Sequence, residues 1–213
     1  MPVITISRQY ASGGSDIAKR IAERLGWPLI DNEFIDRVAL ETGVPRLEVE
    51  EREERVPSLV ERLARALAVS SPEVFVTAAE PPAGRLADEA ELVRATEAVI
   101  QQAVREALHL IMVGRGAQAC LAQRDDALHV FIVAPREVRV QAAIRRLDLS
   151  RDKAEDTVDR TDAGRRRYVE TYYDRDWDNA DNYHLVINTG VFDYDDAAGL
   201  VIEAARLRGW LGG

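Results

Sequence analysis

Apolar residues fall along this chain in two alternating rhythms. Short uncharged runs rich in β-branched and aliphatic residues occur at 3–6, 110–113 and 128–133, and the runs at 27–30 and 184–188 are similar; all five read as strands. Between them the apolar residues recur every three or four positions, which is the helical rhythm. Ile17, Ile21 and Leu25 give a helix over 16–25 that Gly26 stops, and Phe34, Ile35, Val38 and Ala39 give another after Asp31-Asn32. Leu92, Ala95, Val99, Ala103 and Leu108 face inward on a helix over 88–108. Val138, Ala142 and Leu147 form the apolar face of the helix after Pro135, with Arg139, Arg145 and Arg146 elsewhere. The closing helix, 193–207, has Asp193 or Asp195 to cap it. The fold class that follows is α/β: a three-layer parallel sheet of about five strands with helices on both faces.

Two stretches interrupt the rhythm. Residues 45–67 are helical and strongly acidic at first, and after Pro57 a stripe of Leu59, Val60, Leu63 and Leu67 covers the core or a partner subunit, which leaves a homo-oligomer open. Proline and glycine then punctuate 70–84. Residues 150–183 are polar and irregular in hydrophobic pattern, with Ser150 as a helix cap and Arg165-Arg166-Arg167 beside Tyr168, Tyr172, Tyr173 and Trp177. The chain is read as one domain, 1–213, with a core at 1–44 and 88–213 and an insertion at 45–87.

Charge narrows the chemistry. A net charge of −9 argues against a nucleic-acid polymer or an anionic membrane as partner. Lys19 and Lys153 are the only lysines, so any phosphate grip must come mainly from arginine, whose fork binds phosphate oxygens bidentately. A single cysteine, Cys120, excludes an intrachain disulfide and a cysteine metal cluster and fits a reducing cytoplasm. No run reaches the length of a membrane span. His129, alternating with apolar neighbours, reads as a core-edge histidine.

The chemistry gathers after the first strand. Arg8-Gln9-Tyr10-Ala11-Ser12-Gly13-Gly14-Ser15 keeps the second glycine and the serine of the phosphate-loop pattern G-x-x-x-x-G-K-[ST]; Arg8 stands at the first glycine and Gly14 at the lysine. Paired glycines and the start of a helix can hold an anion through backbone N–H groups. Gly114-Arg115-Gly116 follows the third strand at the edge where open parallel sheets bind ligands.

Together with Val130-Phe131-Ile132-Val133-Ala134-Pro135, Asp162 to Arg165, and Asp176-Trp177 through Thr189, these motifs resemble the cytidylate kinase-like family across nearly the whole chain, least in 45–88. The resemblance implies a P-loop kinase fold with a lid at about 150–183 and a helical insertion. It implies a Mg²⁺-dependent nucleoside monophosphate kinase that moves the γ-phosphoryl of ATP to a pyrimidine monophosphate, CMP, dCMP or UMP. Ser12, Gly13, Gly14, Ser15 and Asp16 would hold the triphosphate, Ser15 also the metal. Asp31, Arg37, Arg94 and Arg115 would bind the acceptor, and Arg139, Asp162 and Arg165 would act at the transferring phosphoryl. Two departures from the classical cytidylate kinases stand out: Gly116 replaces the aspartate of their Gly-Arg-Asp, and Gly14 replaces their loop lysine, whose charge Arg8 is expected to supply. A regulatory nucleotide-binding protein and a kinase for another small phosphate acceptor are the alternatives.

Overall fold

The computed structural model describes residues 1–31, 93, 97, 100, 101 and 103–211. The expectations for the insertion at 45–87, the apolar stripe, Arg37 and Arg94 lie outside the described residues. Strands β1 (Val3–Arg8), β2 (Leu29–Ile30), β3 (Leu110–Val113), β4 (Ala127–Val133) and β5 (Leu185–Asn188) form one parallel sheet in the order β2-β3-β1-β4-β5. The helices with assigned bounds are α1 (Gly14–Leu25), α2 (Ala117–Cys120), α3 (Arg136–Leu147), α4 (Arg151–Tyr173) and α5 (Tyr194–Leu207). Val93, Glu97, Ile100, Gln101 and residues 103–106 are also helical and lead into β3. Among the described residues no helix is long and apolar enough to cross a membrane.

β1 lies at the centre, buried on both faces, which is why its sequence is apolar without strict alternation. Its Ile4 and Ile6 pack with Ile17 and Ile21 of α1 and Ala197, Ala198 and Val201 of α5. Val3, on the opposite face, joins Ile100, Ala103, Val104, Leu110, Met112 and Leu121. Ile17 and Ile21 are fully buried, and each contributes about 1.5–3 kcal/mol by leaving water. α1 ends at Gly26 in the left-handed conformation, and α5 begins at Asp193, whose carboxylate accepts from the N–H groups of Asp195 and Asp196 at 2.8 Å.

Three sequence expectations change. The buried face of α3 carries Arg139, Val140 and Ala143, while Val138 and Leu147 are exposed. The stretch 150–173 is regular: α4 runs for 23 residues and buries Ala154, Val158, Asp162 and Val169. Both misreadings have one cause, because each buried stripe includes a charged residue, and Arg139 and Asp162 face one another across the helix pair. Hydrophobic periodicity has no way to register a charge that is buried because it is paired. Leu108, expected inward, is 77% exposed because it lies beyond the helix in the bend before β3.

His129 is more deeply placed than a core-edge residue. It is 3% exposed, shares a 2.7 Å hydrogen bond between its Nδ1 and Thr5 Oγ1, and stacks on His184. Burial, helped by the neighbouring His184, pushes its pKa down to about 4.

Candidate functional site

The chain leaves β1 at its carboxyl end and turns directly into α1. Gly13 precedes the helix at φ 86°, a conformation that costs glycine nothing, and no side chain caps the helix. The first bond of the helix runs from Ile17 N–H to the Gly13 carbonyl, so the N–H groups of Gly14, Ser15 and Asp16 stand at its positive end. That is the donor arrangement a phosphate requires.

The loop is fastened before any ligand arrives. Gln9 N–H donates to the Ile132 carbonyl at 3.0 Å, and the Gln9 side-chain oxygen accepts from Ala134 N–H at 3.0 Å. Ser12, expected among the nucleotide ligands, turns its hydroxyl inward to the carbonyls of Gln9 and Ile132 at 2.8 and 3.1 Å. Thr189 Oγ1 donates to the Ser12 carbonyl at 2.8 Å. Tyr194 of α5 lies over Gly13, where an added Cβ would be 2.3 Å from its ring. Gln9, Thr189 and Tyr194 position the loop without having been expected as site residues; Gln9 and Thr189 lie inside the quoted motifs, whereas nothing in the pattern marks Tyr194.

Under the loop is a buried ionic network. Asp162 accepts from Tyr10 N–H at 2.7 Å and from Arg139 Nη1 at 2.6 Å, and both side chains are at most 10% exposed. Arg139 also donates to the carbonyls of Ala134 and Tyr10, at 3.0 and 3.3 Å. Burial pushes the Asp162 carboxyl above its usual range, against the pull of the Tyr10 N–H and the two arginines. Arg165 lies 3.6 Å from Asp162, places its guanidinium over the Tyr10 ring and donates to the Arg8 carbonyl at 3.0 Å. Arg139, Asp162 and Arg165 are therefore brought together, and they hold the backbone of the loop.

The second turn at this edge is Gly114-Arg115-Gly116. All three residues are left-handed, with φ of 74°, 61° and 66°, and for Arg115 that conformation is strained. Backbone strain of this kind clusters at active sites and ligand clamps. Arg8 and Tyr173 shape this turn. An added Cβ at Gly114 would lie 2.1 Å from Arg8 Nη1, and one at Gly116 would lie 2.7 Å from the Tyr173 ring. Asp31 is buried just after β2, which borders β3. Beside the start of α1 a groove of about 310 Å³ is lined by Asp16, Arg20, Arg145, Arg146 and Tyr194. Asp16 is paired there with Arg146 at 3.2 Å.

The model of the cytidylate kinase-like family matches residues 3–191. A cytidylate kinase of Bordetella pertussis is 30% identical over 164 residues, which span 68% of this chain and 69% of that one. A uronate isomerase of Corynebacterium glutamicum is 30% identical over 93 residues, but these span 44% of this chain and only 18% of the isomerase. Among solved structures, an uncharacterized protein from Eubacterium ventriosum superposes with a TM-score of 0.68 at 19% identity, covering 97% of this chain and 99% of the other. Shikimate kinase from Acinetobacter baumannii, in complex with shikimate, gives a TM-score of 0.52 at 16% identity over 100% and 96% of the two chains. These likenesses show the fold, a P-loop kinase sheet. With the match over 3–191 and an uncapped helix start at the end of β1, the chain belongs to the cytidylate kinase-like family.

Proposed function

We propose that the protein is a nucleoside monophosphate kinase that transfers the γ-phosphoryl of ATP to a pyrimidine monophosphate, CMP, dCMP or UMP. The observation that carries this reading is the open helix N-terminus after Gly13, set at the same sheet edge as Arg8 and Arg115. The N–H groups of Gly14, Ser15 and Asp16 would take the donor phosphates, and the groove bearing Arg20, Arg145 and Arg146 lies beside them. Arg115, with Arg37 and Arg94, would hold the acceptor phosphate. Asp31 would orient the acceptor.

Magnesium would supply charge neutralisation between the phosphates, and the Ser15 hydroxyl, on the first turn of α1, would be the side chain to hold it. The chain's own part is positioning. Arg139 and Asp162 keep the loop backbone in place through Tyr10, so its N–H groups need not reorganise when charge develops. In this reading residues 150–183 form the lid. A cytoplasmic setting, where ATP is abundant and Cys120 stays reduced, accords with it.

The test is purified protein with ATP, Mg²⁺ and a panel of monophosphates, with ADP formation followed beside calorimetric binding. Turnover on CMP, dCMP or UMP supports the proposal. Binding without turnover points to a regulatory nucleotide-binding protein, and ATP use only with another phosphate acceptor moves the substrate.

A further inference from the structure

We propose that Arg8 supplies the phosphate-contacting charge of the missing loop lysine, and that position 14 is glycine because the Arg8 side chain runs across it. The inference rests on the phosphoryl-transfer reading of this loop and extends it to a mutually exclusive pair of positions. An added Cβ at Gly14 would lie 2.5 Å from Arg8 Cβ and 2.9 Å from Cγ. Cβ has no torsion of its own, so that clash is not relieved by a rotamer change; it requires the strand or the helix to move. The strand is not free to move, because Arg8 is in register with Ile132 of β4 and its carbonyl accepts from Arg165 Nη1. Arg8 and a side-chain-bearing residue 14 are therefore alternatives.

The direction of Arg8 follows from the pleat. It shares a face with Ile4 and Ile6, the face that α1 covers, so its stem rises at the open end of β1 against the first turn of α1. From Gly14 it continues to Gly114, where Nη1 would be 2.1 Å from an added Cβ. The two glycines thus leave a trough in which the guanidinium lies between the donor loop and the turn carrying Arg115. A loop lysine reaches the phosphates from the helix; Arg8 reaches the same region from the strand beneath.

The step it serves balances without a proton moving through it. An acceptor phosphate oxygen forms the new bond to the γ-phosphorus, and the bridging bond to the β-phosphate breaks with its electron pair leaving on ADP. The guanidinium remains protonated throughout. It stabilises the negative charge spread over the transferring oxygens with several fixed N–H donors where a lysine would offer one ammonium.

The experiment compares the parent with Arg8→Ala, Arg8→Lys, Gly14→Lys and the double variant Arg8→Gly/Gly14→Lys. The readouts are calorimetric titration with ATP and Mg²⁺, thermal unfolding, and steady-state turnover. Arg8→Ala should weaken ATP binding by roughly tenfold and lower kcat by about 10²-fold with the acceptor KM little changed, as for loss of a donor to transition-state charge. Arg8→Lys should fall between. Gly14→Lys alone should lower Tm and ATP affinity together, and removing Arg8 in the same chain should restore both, since the lysine then has the space and the charge. Arg8→Ala binding ATP like the parent overturns the inference, and so does Gly14→Lys being tolerated as well alone as in the double variant. A parent that binds no ATP removes the kinase reading and this inference with it; a parent that binds while every Arg8 variant equals it removes this inference alone.

Discussion

The two turns at the carboxyl edge of the sheet, the loop from Gln9 to Ser15 and the turn Gly114-Arg115-Gly116, depart from the pattern expected of the classical cytidylate kinases in the same way and are completed differently. Each has glycine where the pattern has a charged residue, and each glycine is covered by a side chain from elsewhere: Arg8 over Gly14, Tyr173 over Gly116. At the first turn the covering side chain is itself a cation, so, under the proposal above, charge at the donor phosphates would be kept. At the second a carboxylate gives way to a phenol, so the acceptor side loses a negative group. The foundations differ too. The loop rests on the Arg139–Asp162 pair and on Gln9 and Thr189, whereas the strained Arg115 turn is packed by the end of α4. One turn is built for fixed N–H donors; the other is shaped by whatever α4 places against it.

Breaking the foundation of the first turn should have the largest effect. Asp162→Asn leaves Arg139 charged and buried, which is expected to destabilise the fold by about 3–5 kcal/mol in denaturant unfolding. Hydrogen exchange should rise at Tyr10 more than at Gly114; equal rises would mean the network supports both turns and the contrast fails.

Acid should also weaken the fold through β4, where His129 is buried against Thr5 of β1. His129 titrates near 4 in the folded chain and near 6.5 when unfolded, so between those values the unfolded chain binds the extra proton. Its contribution is complete above pH 6.5 and is lost as pH falls toward 4, on the order of 3 kcal/mol in all. Unfolding measured from pH 7.5 to 4.5 should show this slope in the parent and a shallower one in His129→Gln.

The second turn is probed by Arg115→Ala, expected to weaken monophosphate binding by about 1.5–3 kcal/mol while Tm stays close to the parent's. A collapse in Tm with affinity unchanged in the folded fraction would make Arg115 structural. Gly116→Asp should destabilise by about 1–3 kcal/mol through its collision with Tyr173, and adding Tyr173→Ala should recover part of that loss. The smallest effect is expected of Asp193→Ala, about 1 kcal/mol for a lost helix cap. Because Tyr194 follows it directly, the accompanying change in exchange should appear at Gly13 and leave Gly114 untouched.

Strand count, helix alternation and the position of the phosphate loop were legible in the residues themselves. β-branched runs, four-residue spacing and paired glycines are local signals, and a parallel sheet places its ligand edge by connectivity alone. The positions of Arg8 and Arg115 at the ends of β1 and β3, and of the loop glycines, could be read for the same reason, since strand ends mark them. Tertiary structure was needed wherever one residue's meaning depends on a distant partner. Arg139 and Asp162 were named from the family resemblance, but that they are buried, and that each is the other's reason for burial, no local pattern could show. Gly14 and Gly116 looked like losses, and only the approach of Arg8 and Tyr173 shows why no Cβ fits there. Sequence records which groups are present; burial, which sets what a charge costs, and excluded volume, which sets where a side chain can stand, exist only once the chain has closed on itself.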